Sequence, residues 1–330
     1  MSNLSLSLAA CDYDHLRDLF TGSVKAQGID IIPMVFDEPH HIFHRASNFT
    51  DFDIHEMSFG RYISLVSQKK NLITALPVFP SRVARQSAFY VLSDSEIKTP
   101  KDLEGKRIGI PEWTQTATIY ARGWLEETVG VDLRKIKWFQ TGVDEPGRPE
   151  PTNPKLPKGI KVTPVSNESL SEMILNGRLD CVLTALPPKP VREGDRRIKR
   201  LIQNSRVVEE EYYNQTGIFP IMHLICVKNQ VLEEHPWVAM NLLNAFEYAK
   251  NNAVQRALKG SHSIYPIPWG SASAEAAWKM FDGDMWPYGL EPNRRTLEAF
   301  LRFGYAQGVA HRKLKPEDLF VPQTLNIATT

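Results

Sequence analysis

The sequence predicts an α/β fold in two lobes. Three observations carry this: apolar strand-like runs alternate with capped helical segments, polar residues gather where those runs end, and 330 residues exceed what one simple core usually holds. The first unit is LSLSLAA at 4–10, which alternates and then turns wholly apolar, as a core strand does. DYDHLRDLF follows with an acidic start and helical spacing of Leu16, Leu19 and Phe20. GIDIIPMVF (28–36) is a second strand and HHIFHRASN a short helix, and FDIHEMSFGRYISLVSQ (52–68) runs from a strand end through a polar turn into a helix. LITALPVFP and QSAFYVLSD, within 72–94, are strands. KTPKDLEGKRIGIPEWTQTATIYARGWLEETVG then supplies a proline-started helix, the strand RIGI, a polar turn and a long helix.

TGVDEPGRPEPTNPKLPKG (141–159) is dense in Pro, Gly and charge, so it is a long loop. SNESLSEMILNGRLDCVLTALPP (166–188) returns to a capped helix, a glycine stop and a buried strand. YNQTGIFPIMHLI (213–225) reads as a loop running into a buried strand, with His223 inside the apolar run. HPWVAMNLLNAFEYAKNNAVQRAL is strongly helical, and the remainder alternates helices with aromatic loops such as PIPWG and DMWPYGLEPNRR.

Hydrophobic residues make up 42% and charged residues 23%, the balance of an ordinary globular protein. With 39 basic and 38 acidic residues the net charge is +1, so no global field gathers nucleic acid or anionic lipid, and any anion site, such as one for a small-molecule ligand, must be local. Cys11, Cys181 and Cys226 form no CxxC or Cys/His ligand spacing, and an odd count argues for reduced thiols rather than a disulfide framework. The opening residues lack a basic n-region and a long apolar stretch, and no window approaches the roughly 18 apolar residues of a membrane span. Cytoplasmic location without membrane contact is the expectation. No heptad or edge-strand signal decides whether the chain forms a homo-oligomer.

Several stretches together resemble the 4,5-dihydroxyphthalate decarboxylase family: EMS at 56–58, LPVFPSR at 76–82, TPKDLEGKRIGIPE at 99–112, ARGWLEETVGV at 121–131, VEEEYYNQTGIFPIMH at 208–223, and GDMWPYGLEPNRRTLEAFLRFGYAQG at 283–308. TPKDLEGK recurs widely in solute-binding proteins, whereas YYNQTGIFPIMH combined with GDMWPYGLEPNR is far more specific. The resemblance covers nearly the whole chain and implies the two-lobed type II periplasmic-binding-protein-like fold. Lobe I would then comprise 1–92 and 225–330, and lobe II 93–224, with a ligand cleft between them. One departure stands out: where the family usually has an Arg-His pair, this chain reads VARQS, with Gln86 in place of the histidine.

The implied chemistry is loss of CO2 from an aromatic dicarboxylate, with a ring hydroxyl as electron sink. No pyridoxal, thiamine or flavin motif is required and no cofactor is expected. The protein must supply cations or N–H groups for two carboxylates, a base for the phenol and a proton donor for the ring. Arg82 and Arg85 can clamp carboxylates bidentately, or form surface salt bridges. His223, buried at the second crossing between lobes, is either a proton carrier or a core histidine satisfied by a carbonyl. Glu56 could accept a phenolic proton, and Ser58 could bind a carboxylate. Their bland alternatives are a charge balancing a helix dipole and a helix cap.

The turn Glu112-Trp113-Thr114-Gln115-Thr116 between strand and helix offers hydroxyl, amide and N–H donors to an anion, and Thr184 after DCVL has a similar place. Tyr213 and Thr216 precede the second crossing as substrate-binding candidates, and the aromatic faces of Tyr213, Trp286 and Tyr288 could stack on a benzoate ring or simply pack in the core. Asp14 and His15 are weaker candidates. His40 and His44 share a helical face at i, i+4, but with no HExxH pattern a solvated helix is favoured over a metal site. Two alternatives stand beside the lyase: a solute-binding protein for an aromatic carboxylate, and a same-scaffold decarboxylase using a different aromatic acid.

Overall fold

The computed structural model describes residues 3–49 and 51–326, and these form two sheets flanked by helices. The first sheet has the order β2-β1-β3-β11-β4, built from β1 (Leu4–Cys11), β2 (Ile29–Phe36), β3 (Ile54–Ser58), β4 (Ile73–Arg82) and β11 (Ile221–Lys228). β1 runs parallel to β2 and β3, and β11 is antiparallel to both β3 and β4. The second sheet has the order β10-β5-β9-β6-β7-β8, from β5 (Phe89–Leu92), β6 (Arg107–Ile110), β7 (Lys137–Gln140), β8 (Val162–Pro164), β9 (Cys181–Leu183) and β10 (Ile198–Arg200). The chain thus leaves the first sheet after Arg82 and returns to it at Ile221; residues 89–92 lie in the second sheet and 221–224 in the first.

The alternating apolar runs become strands because each buries one or both faces. β1 is buried from Leu8 through Cys11, and all five residues of β3 are buried. β4 carries Pro77 and Pro80, which have no N–H to give the ladder, and its pairing with β11 shifts register at this point. The freed carbonyls go to the C-terminal segment: Gly289 N–H donates to Pro77 O at 2.8 Å, and Trp286 Nε1 to Phe79 O at 3.0 Å.

Residues 213–216 are not loop, as the local pattern suggested. They form the last turn of the helix Ser205–Thr216, which ends at Gly217 in the left-handed region at φ 67°. The Pro-rich stretch 141–159 is largely irregular and reaches the end of the helix Arg294–Ala306, where Lys155 N–H donates to Gly308 O at 2.7 Å. No helix among the described residues is long and apolar enough to cross a membrane.

Candidate active site

A cleft of about 670 Å³ lies where the two sheets meet. Its walls come from the start of the helix Pro39–Phe49, the end of β3, the crossing at Arg85, the start of the helix Thr116–Trp124, the loops after β7 and β9, and the beginning of β11. Ser58, Arg85, Gln115, Thr116, Thr184 and His223 all line it.

Strand register explains how Glu56 and His223 meet. Glu56 on β3 is paired with Ile225 on β11, and Ser58 with His223, so Glu56, Ser58 and His223 share one face of the sheet. His223 Nδ1 sits 2.5 Å from Glu56 Oε1, the Tyr13 hydroxyl donates to the same oxygen at 2.6 Å, and Cys11 N–H donates to Oε2 at 3.0 Å. Burial alone would push the Glu56 carboxyl up; His223, the Tyr13 hydroxyl and the Cys11 N–H outweigh it and hold the group below the ordinary carboxylate range. Glu56 is fully buried, with both oxygens engaged, and it does not line the cleft. The expectation that it takes a phenolic proton directly therefore fails on access. It stands behind His223, bonded to Nδ1, while His223 itself lines the cleft. Phe43, which sequence reasoning did not single out, packs edge-on against the His223 ring at 5.0 Å.

Arg85 keeps part of its surface open to the cleft and pairs with no carboxylate among the described residues; its Nε approaches Met222 Sδ at 3.1 Å. Burial lowers its guanidinium to about 10, with Tyr90 and Glu209 opposing, which still leaves it charged at neutral pH. Gln115 Oε1 and Thr184 Oγ1 are buried without a hydrogen-bond partner among the described residues, and both residues line the cleft. A guanidinium without a carboxylate partner among the described residues, lining the same cleft as two such polar atoms, is what an anion-binding site looks like from the protein side.

The two lobes touch at the ends of two helices. Ser58, at the N-cap of the helix Phe59–Ser67, bonds through its hydroxyl to Thr116 Oγ1 at 3.1 Å, and Gly60 N–H donates to Thr116 Oγ1 at 2.9 Å. Gly60 has no room for a side chain, since an added Cβ would collide with the Thr114 carbonyl. Gly60→Ala is therefore expected to wedge the lobes apart, costing about 1–3 kcal/mol by overpacking. The check is a lowered Tm together with weakened ligand binding.

Other expected site residues are placed elsewhere. Arg82 is 5% exposed and spent on the C-terminal segment: its guanidinium donates to Pro287 O at 2.7 Å, to Phe219 O at 3.4 Å and to Asn293. Glu112 accepts from Arg148 at 2.7 Å and lies 3.7 Å from Arg61, so it meets cations of the protein rather than the cleft. The Thr114 hydroxyl donates to Glu150 and is wholly buried.

Tyr213 packs on Phe281 with ring centroids 4.4 Å apart, Thr216 closes its own helix by donating to Tyr212 O at 2.6 Å, and Tyr288 is buried beside Phe79. Trp286 belongs to a second, mainly apolar cavity of about 450 Å³ that also includes Asp14, His15, Phe219 and Phe281. His15 is half-buried there, and its desolvation lowers the imidazole to about 4 against the pull of the Pro80 carbonyl. His40 reaches the cleft, where burial and then neighbouring His41 lower its imidazole. No group of three or more His, Cys, Asp or Glu among the described residues could hold a metal ion.

Comparison with known proteins bears on the fold and on the family. In solved structures, the periplasmic aliphatic sulphonate binding protein SsuA from Escherichia coli superposes with a TM-score of 0.56 at 11% identity, covering 98% of this chain and 99% of that one. The Candida albicans CA3427 gene product, described as having the generic periplasmic binding protein fold, gives a TM-score of 0.51 at 13% identity, covering 98% of each chain. These likenesses establish the periplasmic-binding-protein fold.

In sequence, a profile of the NMT1/THI5-like family matches residues 83–146. A 4,5-dihydroxyphthalate decarboxylase of Pseudomonas putida is 35% identical over 214 residues, covering 64% of this chain and 83% of the relative. That of Comamonas testosteroni is 35% identical over 326 residues, covering 98% of both chains. Identity at that level along the full length, on the fold that forms the cleft, establishes that the chain belongs to the 4,5-dihydroxyphthalate decarboxylase family.

Proposed function

We propose that this chain is a carboxy-lyase converting 4,5-dihydroxyphthalate to 3,4-dihydroxybenzoate and CO2 in the cleft between its two sheets. The observation that carries the reading is the His223 ring, bonded to buried Glu56 and lining the same cleft as the guanidinium of Arg85, which pairs with no carboxylate among the described residues. In the substrate each carboxylate is para to a hydroxyl. As that hydroxyl gives up its proton, electron density moves to the carbon bearing the departing carboxylate, which takes a proton and becomes tetrahedral. Cleavage of the bond to the carboxylate then returns the electron pair to the ring, CO2 leaves and the phenol is reprotonated. The ring is its own electron sink, so the route needs no organic cofactor.

In this reading His223 Nε2 carries the proton to or from the ring and Glu56 is a positioning residue. Arg85 takes a carboxylate, and Gln115, Thr184 and the N–H groups opening the helix Thr116–Trp124 supply further donors. Walls from Phe43 and Met222 receive the ring face. Closure of two lobes over a bound ligand would keep water from the reacting carbon. The reading makes the chain a cytoplasmic catabolic enzyme. Its test is product analysis after incubating purified, chelator-treated protein with a panel of hydroxylated phthalates. Release of CO2 with 3,4-dihydroxybenzoate is expected, and tight binding with every compound left unchanged would favour the solute-binding alternative that the fold also serves.

Gln86 bears on which acid is used. It is 2% exposed and its side-chain oxygen accepts from Arg85 N–H at 3.1 Å, so it shapes the turn that presents Arg85. Gln cannot shuttle protons as His can. Gln86→His is expected to change substrate preference or the pH profile of kcat/KM across the panel, and identical kinetics would remove Gln86 from the account.

A further inference from the structure

Arg85 accounts for one carboxylate, and Arg82, the other sequence candidate, is occupied elsewhere. A second guanidinium nevertheless reaches the cleft, from the Pro-rich loop after β7: Arg148 lines it together with Arg85. Its Nε donates to Glu112 Oε1 at 2.7 Å and its Nη2 lies 2.5 Å from the same oxygen, so Glu112 holds one edge of the planar group. Arg61 stands 3.7 Å from the same carboxylate, so two cations share one anion.

Nearby acids are already engaged. Asp144 meets Arg192 at 2.5 Å and the Ser171 hydroxyl at 2.6 Å, and Glu150 accepts the Trp113 N–H at 2.6 Å. The remaining acidic residues of the lining, Glu38 and Glu145, are exposed, where water and salt screen them.

Resting on the reading that the cleft takes an aromatic dicarboxylate, we propose that Arg148 is its second carboxylate-binding cation, positioned by Glu112. Arg85 and Arg148 together would then select a ring with two carboxylates over a ring with one. A planar fork anchored along one edge suits this task, because the geometry offered to the ligand is set before binding.

The test uses two competitive inhibitors of the full-length protein: phthalate, which has both carboxylates, and benzoate, which has one. Arg148→Gln is expected to raise the inhibition constant of phthalate about 30-fold, the scale of one charge-assisted pair, and that of benzoate less than about threefold. Arg148→Lys, which keeps the charge but not the fork, should fall between wild type and Arg148→Gln for phthalate and provides the readout if Arg148→Gln folds poorly. Glu112→Gln should weaken phthalate by a smaller factor while sparing benzoate. Equal weakening of both inhibitors by Arg148→Gln, or of neither, contradicts the proposal. A phthalate constant untouched by Glu112→Gln contradicts the positioning role. Wild-type protein that turns over the dihydroxyphthalate while failing the inhibitor test leaves the lyase reading intact and removes Arg148 alone, whereas wild-type protein inert to every hydroxylated phthalate removes the reading beneath it.

Discussion

Replacing His223 by Gln is expected to lower kcat about 10²–10⁴-fold with KM changed by no more than about threefold, the signature of a group needed for proton transfer and little used in binding. Gln keeps a hydrogen-bonding side chain of similar reach toward Glu56 but cannot carry a proton between solvent and ring. Steady-state kinetics on the dihydroxyphthalate, with phthalate binding measured separately, separates the two effects. Equal losses in kcat and in phthalate affinity would instead make His223 a binding group. The buried carboxylate behind it gives the experiment a second arm. Glu56→Gln preserves shape while removing the negative charge that accepts from Nδ1, so it should lower kcat by a smaller factor than His223→Gln and leave phthalate affinity in place.

Arg85→Met should produce the second large effect, with an unusual combination. The guanidinium lies in the cleft with no carboxylate partner among the described residues, and burial lowers it to about 10, so the folded protein holds this charge at a cost. Met matches the length of the stem and removes the charge. We expect kcat/KM to fall about 100-fold, mostly through KM, while Tm does not fall. A functional residue that strains the free protein behaves in this way, and a structural one does not. Loss of activity accompanied by a lowered Tm would identify Arg85 as part of the framework.

The parts of the fold legible in the sequence are those written in local periodicity. β1, the strand RIGI, the helix Val238–Leu258 and the turn before Thr116 all follow from runs of a few residues and their caps. His223 stood out for the same reason, as a titratable ring inside an apolar run.

What could not be read was set by pairing across long chain separations. Arg82 and Arg85 are three residues apart and chemically identical, yet Arg82 closes β4 against Ile221 and is captured by Pro287 and Asn293, while Arg85 follows the strand and turns into the cleft. Glu56 looked like a base because its strand ends at a cleft; only the register of β3 against β11 reveals that it stands behind His223. Trp286 and Tyr213 looked like ring platforms, and they pack with Phe219 and Phe281 in an apolar region around a different cavity. Arg148 went unnoticed because Pro and Gly mark a loop without saying what the loop faces. Its one available signal was the excess of charge within that loop.

A crystal of the wild-type protein grown with phthalate, which has both carboxylates but no hydroxyl to drive the reaction, addresses the central claim most directly. The account predicts the ring in the cleft between the sheets, a carboxylate on Arg85, and a ring carbon bearing a carboxylate within about 3–3.5 Å of His223 Nε2, the spacing of a reactive geometry. Phthalate seated instead in the apolar cavity beside Phe219, Phe281 and Trp286, with the cleft holding only water, would contradict it.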